Sequence, residues 1–417
     1  MAIYSTYLPR LVDDKIQLFL SIYGAVSIEG PKWCGKTMTS LQFAKSSVML
    51  EGNKNARELA EMSPESILKG DHPRLIDEWQ EVPSLWDCVR YTVDTSQEKG
   101  LFILTGSTGV SPEKIKHSGA GRIARLKMST MSLFESGESS GLVTLKGLFE
   151  NQFQPSMIEL PSLEDLAFYI IRGGWPGGLD IPRENASLLA GEYIKATLST
   201  DIFKLDGIKR SSDKFNLLLR SIARNESTTA SIKKLQDDTS IHFNTIEDYI
   251  EILKRLYMIE NQKPFGFNIR SSVRVKQSEK WHFIDPSISA SLLGVTINSL
   301  INDLETFGFL FEALCERDLR IYAEANNAHL YHYQDYKNRE LDAVVEWPDG
   351  RWAGFEIKLG ANRIDEAARN LIKIQKEIEE DPKGKAPCFM AVICGLSSGA
   401  YRRPDGVFVI PITALKN

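Results

Sequence analysis

An apolar run from Gly24 to Glu29 is followed by Gly30-Pro31-Lys32-Trp33-Cys34-Gly35-Lys36-Thr37, and then by residues with helical spacing. No other segment constrains this chain as strongly. Two glycines let the backbone curl so that its N–H groups point inward, and the positive end of the following helix adds to the field. Lys36 then reaches the β- and γ-phosphates of a nucleotide, and Thr37 offers a hydroxyl to a magnesium ion. Gly30 to Thr37, with Met38 beside them, are therefore the candidate site for ATP and Mg2+; an ordinary strand-to-helix turn is the bland alternative. Cys34, close to the helix start, is a candidate for raised acidity, with simple packing as the plainer account.

The surroundings fit that reading. From Pro9 to about Glu150 short apolar runs alternate with helical stretches, the pattern of parallel strands joined by crossover helices. Strands are expected at Gly24 to Glu29, Ser47 to Leu50, Arg74 to Asp77 and Gly100 to Gly106. The third ends in Asp77 and Glu78, where Asp77 would hold the metal and Glu78 would polarise the attacking water. The fourth leads into Ser107, a candidate sensor of the γ-phosphate. Arg122, or Arg125, would serve as a transition-state arginine supplied to a neighbouring subunit, with a salt bridge or packing as the alternative.

A length of 417 residues points to two or three domains. We expect a 1–155 P-loop ATPase domain, a 156–290 helical lid and winged-helix region, and a 291–417 α/β domain. A net charge of -5 gives no whole-molecule pull toward nucleic acid. Five scattered cysteines without a CxxC pair argue against a zinc or disulfide framework, and no long apolar stretch argues for a membrane span, so a cytoplasmic protein is expected.

The middle region is mainly helical, broken by Gly173-Gly174-Trp175-Pro176-Gly177-Gly178. Ser231 to Leu256 reads as a short helix, a turn and a longer helix, and Ile259 to Phe283 as a wing. Arg270, Arg274, Lys276 and Lys280 crowd that wing and suit phosphate contact. The longer helix carries Glu247, Asp248 and Glu251, which would repel DNA.

From Leu304 onward the order is helix, three strands, helix, two strands. Asp342 starts one strand, and Glu356 and Lys358 lie in the next, two apart and so on the same side. That is a D and ExK pattern: Asp342 and Glu356 would hold a metal, and Lys358 would steady developing phosphate charge. Glu312 on the preceding helix is a further candidate metal acid, and Gln375 on the later helix faces a plausible substrate edge.

Taken in order, LPR near the start, IEGPKWCGKT, LIDEWQEVP, ILTGS and AGRIARL resemble the AAA-type ATPases of bacteria and archaea that carry a DUF4143 domain. Gly173-Gly174-Trp175-Pro176, Tyr193, Asp201-Ile202 and His282-Phe283-Ile284-Asp285-Pro286 resemble that family's middle segments. The resemblance spans the whole chain and implies an AAA+ core, a homo-oligomeric ring, hexameric by preference, and an arginine finger at Arg122 or Arg125. The C-terminal constellation resembles the PD-(D/E)XK nucleases, including archaeal Holliday junction resolvases, which implies a restriction-endonuclease-like fold acting on duplex or branched DNA. Two other readings stand beside a DNA-processing ATPase: an ATP-controlled switch or scaffold for a protein partner, and an ATPase that binds branched DNA without cutting it.

Overall fold

The computed structural model describes residues 7–109, 117–208, 210–267, 279–335, 339–382 and 384–417. The first part contains α1 (Asp13–Ile22), β1 (Ala25–Glu29), α2 (Lys36–Phe43), β2 (Ser46–Met49), α3 (Lys54–Met62), α4 (Pro64–Ile67), β3 (Arg74–Asp77), α5 (Ser84–Ser96), β4 (Phe102–Gly106) and β5 (Ile123–Lys127). The strands form one parallel sheet in the order β2-β3-β4-β1-β5. Both faces are covered, which is why the strands are apolar without clean alternation. Ala25, Ile76, Phe102 and Leu104 pack with Trp86 and Val89 of α5 on one face; Val26, Ile28, Leu75 and Ile103 pack with Ile16 of α1 on the other. All strand C-termini open toward one edge, where chain reversals place loops around a ligand crevice.

The linking segment holds β6 (Val143–Thr144), α6 (Leu145–Phe149) and β7 (Ser156–Met157). Helices follow: α7 (Leu163–Arg172), α8 (Leu188–Ala196), a π-helical turn Thr197–Asp201, α9 (Ile202–Asp206), α10 (Ser212–Arg224), α11 (Ile232–Thr239) and α12 (Phe243–Arg255). Ser231 caps α11 by accepting from the Lys234 N–H, and α12 buries Ile246, Tyr249, Ile250 and Leu253, one stripe at helical spacing. Glu247, Asp248 and Glu251 lie on its exposed face.

The expected helix, turn, helix and antiparallel hairpin are all there, the hairpin being β8 (Ile259–Pro264) with β9 (Lys280–Phe283). It is not a free wing, however. β8 runs parallel to β10 (His329–Gln334), with Lys263 opposite Tyr331, so the hairpin continues the C-terminal sheet. Lys280 is accordingly buried and ion-paired with Glu312 and Glu316, which corrects its assignment to a phosphate-contacting wing. Arg270, Arg274 and Lys276 lie outside the described residues.

After α13 (Pro286–Leu293) and α14 (Ile297–Asn302) come α15 (Leu304–Ala325), β10, β11 (Glu340–Glu346), β12 (Trp352–Gly360), α16 (Ile364–Glu380), β13 (Phe389–Leu396), β14 (Gly399–Arg402), β15 (Phe408–Pro411) and β16 (Leu415–Lys416). Among the described residues the sheet has nine strands, in the order β7-β14-β15-β13-β12-β11-β10-β8-β9. α15 covers one face through Phe307, Phe311 and Leu314, and α16 the other through Ala368, Leu371 and Ile374. The Gly-rich break of the middle region is a joint. Asp285 accepts hydrogen bonds from Thr130 Oγ1 (2.8 Å) and the Gly174 N–H (2.9 Å), and pairs with Arg317 of α15 at 3.1 Å. A Cβ on Gly174 would sit 2.0 Å from the Met131 carbonyl oxygen, so no larger residue fits.

Candidate functional site

At the open edge of the parallel sheet the loop from Gly30 to Gly35 joins β1 to α2. A Cβ on Gly30 would lie 2.1 Å from the Met128 carbonyl oxygen, and Gly35 has φ 101°. Both glycines are therefore required by the curl. Lys36 is buried, its Nζ donating to the Pro31 carbonyl at 2.8 Å, which holds the ammonium inside the loop. Arg10 of the LPR segment braces the loop from behind: it pairs with Glu135 at 2.9 Å and donates to the carbonyls of Cys34 (2.8 Å), Ser129 and Thr130. Cys34 is fully buried, with Sγ 3.7 Å from the Met128 carbonyl, a packed position.

Two loop residues reach the helical region. Lys32 forms an ion pair with Asp201 at 2.7 Å. Burial opposes the charge on Lys32, but Asp201 outweighs it and holds the ammonium pKa above its ordinary value. Trp33 makes an edge contact with Tyr193 at 5.7 Å. On the far side, Met38 lines a cavity of about 100 Å3 with Gly35, Tyr7, Leu8, Pro176 and Leu179.

The carboxylates at the end of β3 are held by neutral donors. Thr37 Oγ1 and Thr105 Oγ1 both donate to Asp77 Oδ1, at 2.7 and 2.6 Å. Burial raises the Asp77 pKa, and those two hydrogen bonds pull it back. Glu78 stands at φ 55° and accepts from the N–H (3.2 Å) and Oγ (2.8 Å) of Ser107, with Gln80 also donating to it. Thr37, Asp77, Glu78 and Ser107 thus meet beside the loop, as the motif spacing implied. Tyr7 escaped sequence reasoning because no short motif marks it; Arg10, Gln80 and Thr105 lie within the LPR, LIDEWQEVP and ILTGS segments, but nothing in those segments singled them out.

Arg122 lies at the opposite end of the sheet, before β5, and pairs with Asp94 at 2.5 Å on a half-exposed surface. Arg125 stands on β5, 3.7 Å from Glu29, with its guanidinium 4.9 Å from the Trp86 ring.

In the C-terminal sheet Asp342 of β11 and Glu356 and Lys358 of β12 converge. Lys358 Nζ lies 2.7 Å from Glu356 and 3.4 Å from Asp342. Asp342 also accepts from the Ile357 N–H at 2.7 Å, and Asn370 of α16 donates to Glu356 at 2.5 Å. Burial, with the charge of Asp342, pushes Glu356 up to about 7. Glu312 comes in from α15, yet Lys280 lies 3.3 Å from it and 3.8 Å from Glu316. Among the described residues no group of three or more His, Cys, Asp or Glu side chains is set out to hold a metal ion. Gln375 donates to Glu379 at 2.8 Å on its own helix, and Asn370 is the α16 residue that reaches the cluster.

Comparisons with known proteins follow this division. Residues 23–136 match the AAA domain family, 163–299 a domain of unknown function (DUF8612), and 307–415 a domain of unknown function (DUF4143). The chain is 24% identical over 342 residues to the uncharacterized proteins Mb2031c of Mycobacterium bovis and Rv2008c of Mycobacterium tuberculosis, covering 80% of this chain and 70% of each. Among solved structures, the Walker-type ATPase of Pyrococcus abyssi is similar at TM-score 0.41 and 15% identity, over 67% of this chain and 94% of that one. RuvB of Thermotoga maritima is similar at TM-score 0.27 and 14% identity, over 60% and 88%. The N-terminal assignment rests on the AAA match and the loop geometry. No helix among the described residues is long and apolar enough to cross a membrane. The chain carries an AAA-type P-loop ATPase-like domain followed, at its other end, by a DUF4143 domain.

Proposed function

We propose that this protein is a Mg2+-dependent ATPase that acts on duplex or branched DNA, with a C-terminal metal-dependent site able to cleave a phosphodiester. The observation that carries the ATPase reading is the meeting of Thr37, Asp77, Glu78 and Ser107 at the mouth of the phosphate loop. The loop N–H groups and Lys36 bind the triphosphate, and the cavity beside Met38 takes the base between Tyr7, Leu8 and Pro176. Thr37 and Asp77 hold a magnesium ion, which when bound neutralises phosphate charge. Glu78 takes the proton of the attacking water, and Ser107 fixes the Glu78 carboxylate. Arg122, or Arg125, completes the site of the next copy in a hexameric ring.

The C-terminal reading rests on the convergence of Asp342, Glu356 and Lys358 at one place on the sheet. Two carboxylates suit a hard divalent ion that keeps several waters, and such an ion supplies Lewis acidity and a bound nucleophile. Lys358 steadies the scissile phosphate, and Asn370 orients Glu356. A second reading, an ATP-controlled switch or scaffold with a non-cutting C-terminal domain, is favoured by the lysines already paired with every carboxylate of the cluster. The decisive experiment measures ATP turnover and strand cleavage with Mg2+ or Mn2+ on single-stranded, duplex, forked and four-way-junction DNA, in wild type, Asp342→Ala and Glu356→Ala. Cleavage lost in both variants with turnover retained is expected; DNA-stimulated turnover without cleavage would point to a non-cutting DNA ATPase, and no response to any DNA to the switch.

A further inference from the structure

The C-terminal carboxylate cluster has two sides that differ in access. Glu316 is 0% exposed, Lys280 5% and Glu356 6%, whereas Asp342 is 13%, Glu312 17% and Lys358 30% exposed. The solvent-facing mouth therefore runs past Glu312, Asp342 and Lys358, and Lys280 and Glu316 close the rear. Lys280 reaches that rear from β9, because the hairpin is hydrogen-bonded into the sheet under α15. It lies between Glu312 and Glu316, which stand one turn apart on α15 and so present their carboxylates together. A buried carboxylate pair of this kind demands a cation, and removing one partner of such a cluster is costly.

We propose that Lys280 is a resident second cation of this cluster, so that the site takes one divalent ion, on Asp342 and Glu356, rather than two. The proposal rests on reading Asp342 and Glu356 as a metal site. Geometry supports the count. Glu312 and Glu316 face Lys280, while Asp342 and Glu356 face Lys358 on the more open side. Burial keeps His282, 3.4 Å from Glu316 and 3.0 Å from Glu226, neutral, and Arg320 shares Glu260 with Lys127. Glu312 is then a partner of Lys280 and not a metal ligand.

The test counts Mn2+ bound to the nucleotide-free full-length chain, with Asp77→Ala present in every sample, the wild-type reference included, to remove the phosphate-loop metal ligand, by equilibrium dialysis with the free ion read by electron paramagnetic resonance. Wild type should bind one ion that Asp342→Ala abolishes, and Lys280→Met should bind one more, lost again when Glu312→Gln is added. Should Lys280→Met fail to fold, Glu312→Gln alone decides: Mn2+ affinity changed less than about threefold supports the proposal, and a loss of tenfold or more overturns it. Two ions in wild type, or an equal count in wild type and Lys280→Met, would overturn it while leaving the metal site standing. No bound ion in wild type would remove the metal-site reading itself, and the proposal with it.

Discussion

The phosphate-loop edge and the C-terminal cluster both gather carboxylates where strands end or meet, yet they hold them with different partners. Asp77 and Glu78 are held by hydroxyls, a side-chain amide and one backbone N–H. Asp342, Glu356, Glu312 and Glu316 are held by ammonium groups. A neutral donor orients a carboxylate and leaves its charge available to a metal and a nucleotide; a lysine orients it and cancels the charge. The first arrangement is an open demand for a cation, and the second is largely met from within.

Four measurements would break or sharpen that contrast. Glu78→Gln keeps the hydrogen bonds of its site but cannot take a proton, so ATP turnover should fall by roughly 10²- to 10⁴-fold with ATP binding retained. A smaller loss would mean that Glu78 is only a scaffold. The next concerns Glu226, a buried acid behind the cluster that pairs with His282 at 3.0 Å and is raised to about 8 by burial and by the charge of Glu316. Its folded pKa lies above its unfolded value, so its contribution to stability is complete below about pH 4.5 and fades as pH rises toward 8. Glu226→Gln should flatten that decline by a few kcal/mol in denaturant titrations across the range; an unchanged slope would refute the assignment. Thr105→Val removes one donor from Asp77 and one acceptor from the Glu78 N–H, and should reduce Mg2+-dependent turnover by about tenfold, the effect of about 1 to 2 kcal/mol. Lys32→Ala should lower stability by no more than about 1 kcal/mol, since that side chain is 29% exposed and its pairing is partly screened. A larger fall in melting temperature would show that the link from the loop to Asp201 carries more than local charge.

Much of this was legible in the residues. Four of the five strands of the parallel sheet were found to within a residue or two, because parallel strands bounded by glycine and acid are sharply punctuated; β5 was missed, its residues having been read only for their arginines. α15, β11, β12 and α16 likewise follow from periodicity, since α16 repeats buried residues from Ile364 to Ile378 at helical spacing. What was missed depends on contacts across long separations. Lys280 reads as one more basic residue of a wing until the Tyr331 to Lys263 pairing places its strand inside a sheet. Arg10 finds its partners 24 to 125 positions away, and no local pattern encodes that. Gln375 lost its expected place to Asn370 because helix phase, not residue type, decides which amide faces the cluster.

The short pairing of β6 with β16 has a consequence for synthesis. Ser139 donates to the Leu415 carbonyl across 276 positions, and Val143 sits opposite Leu415 in the ladder. As the chain emerges from the ribosome, the parallel sheet of the first part can close on its own, but the segment after it must wait, with its edge groups unpaired, for almost all the remaining residues. Contacts this distant in sequence are slow to form and leave strand edges open in the interval. The order of synthesis therefore makes the segment around residues 139–157 among the last of the early residues to gain its strand partners.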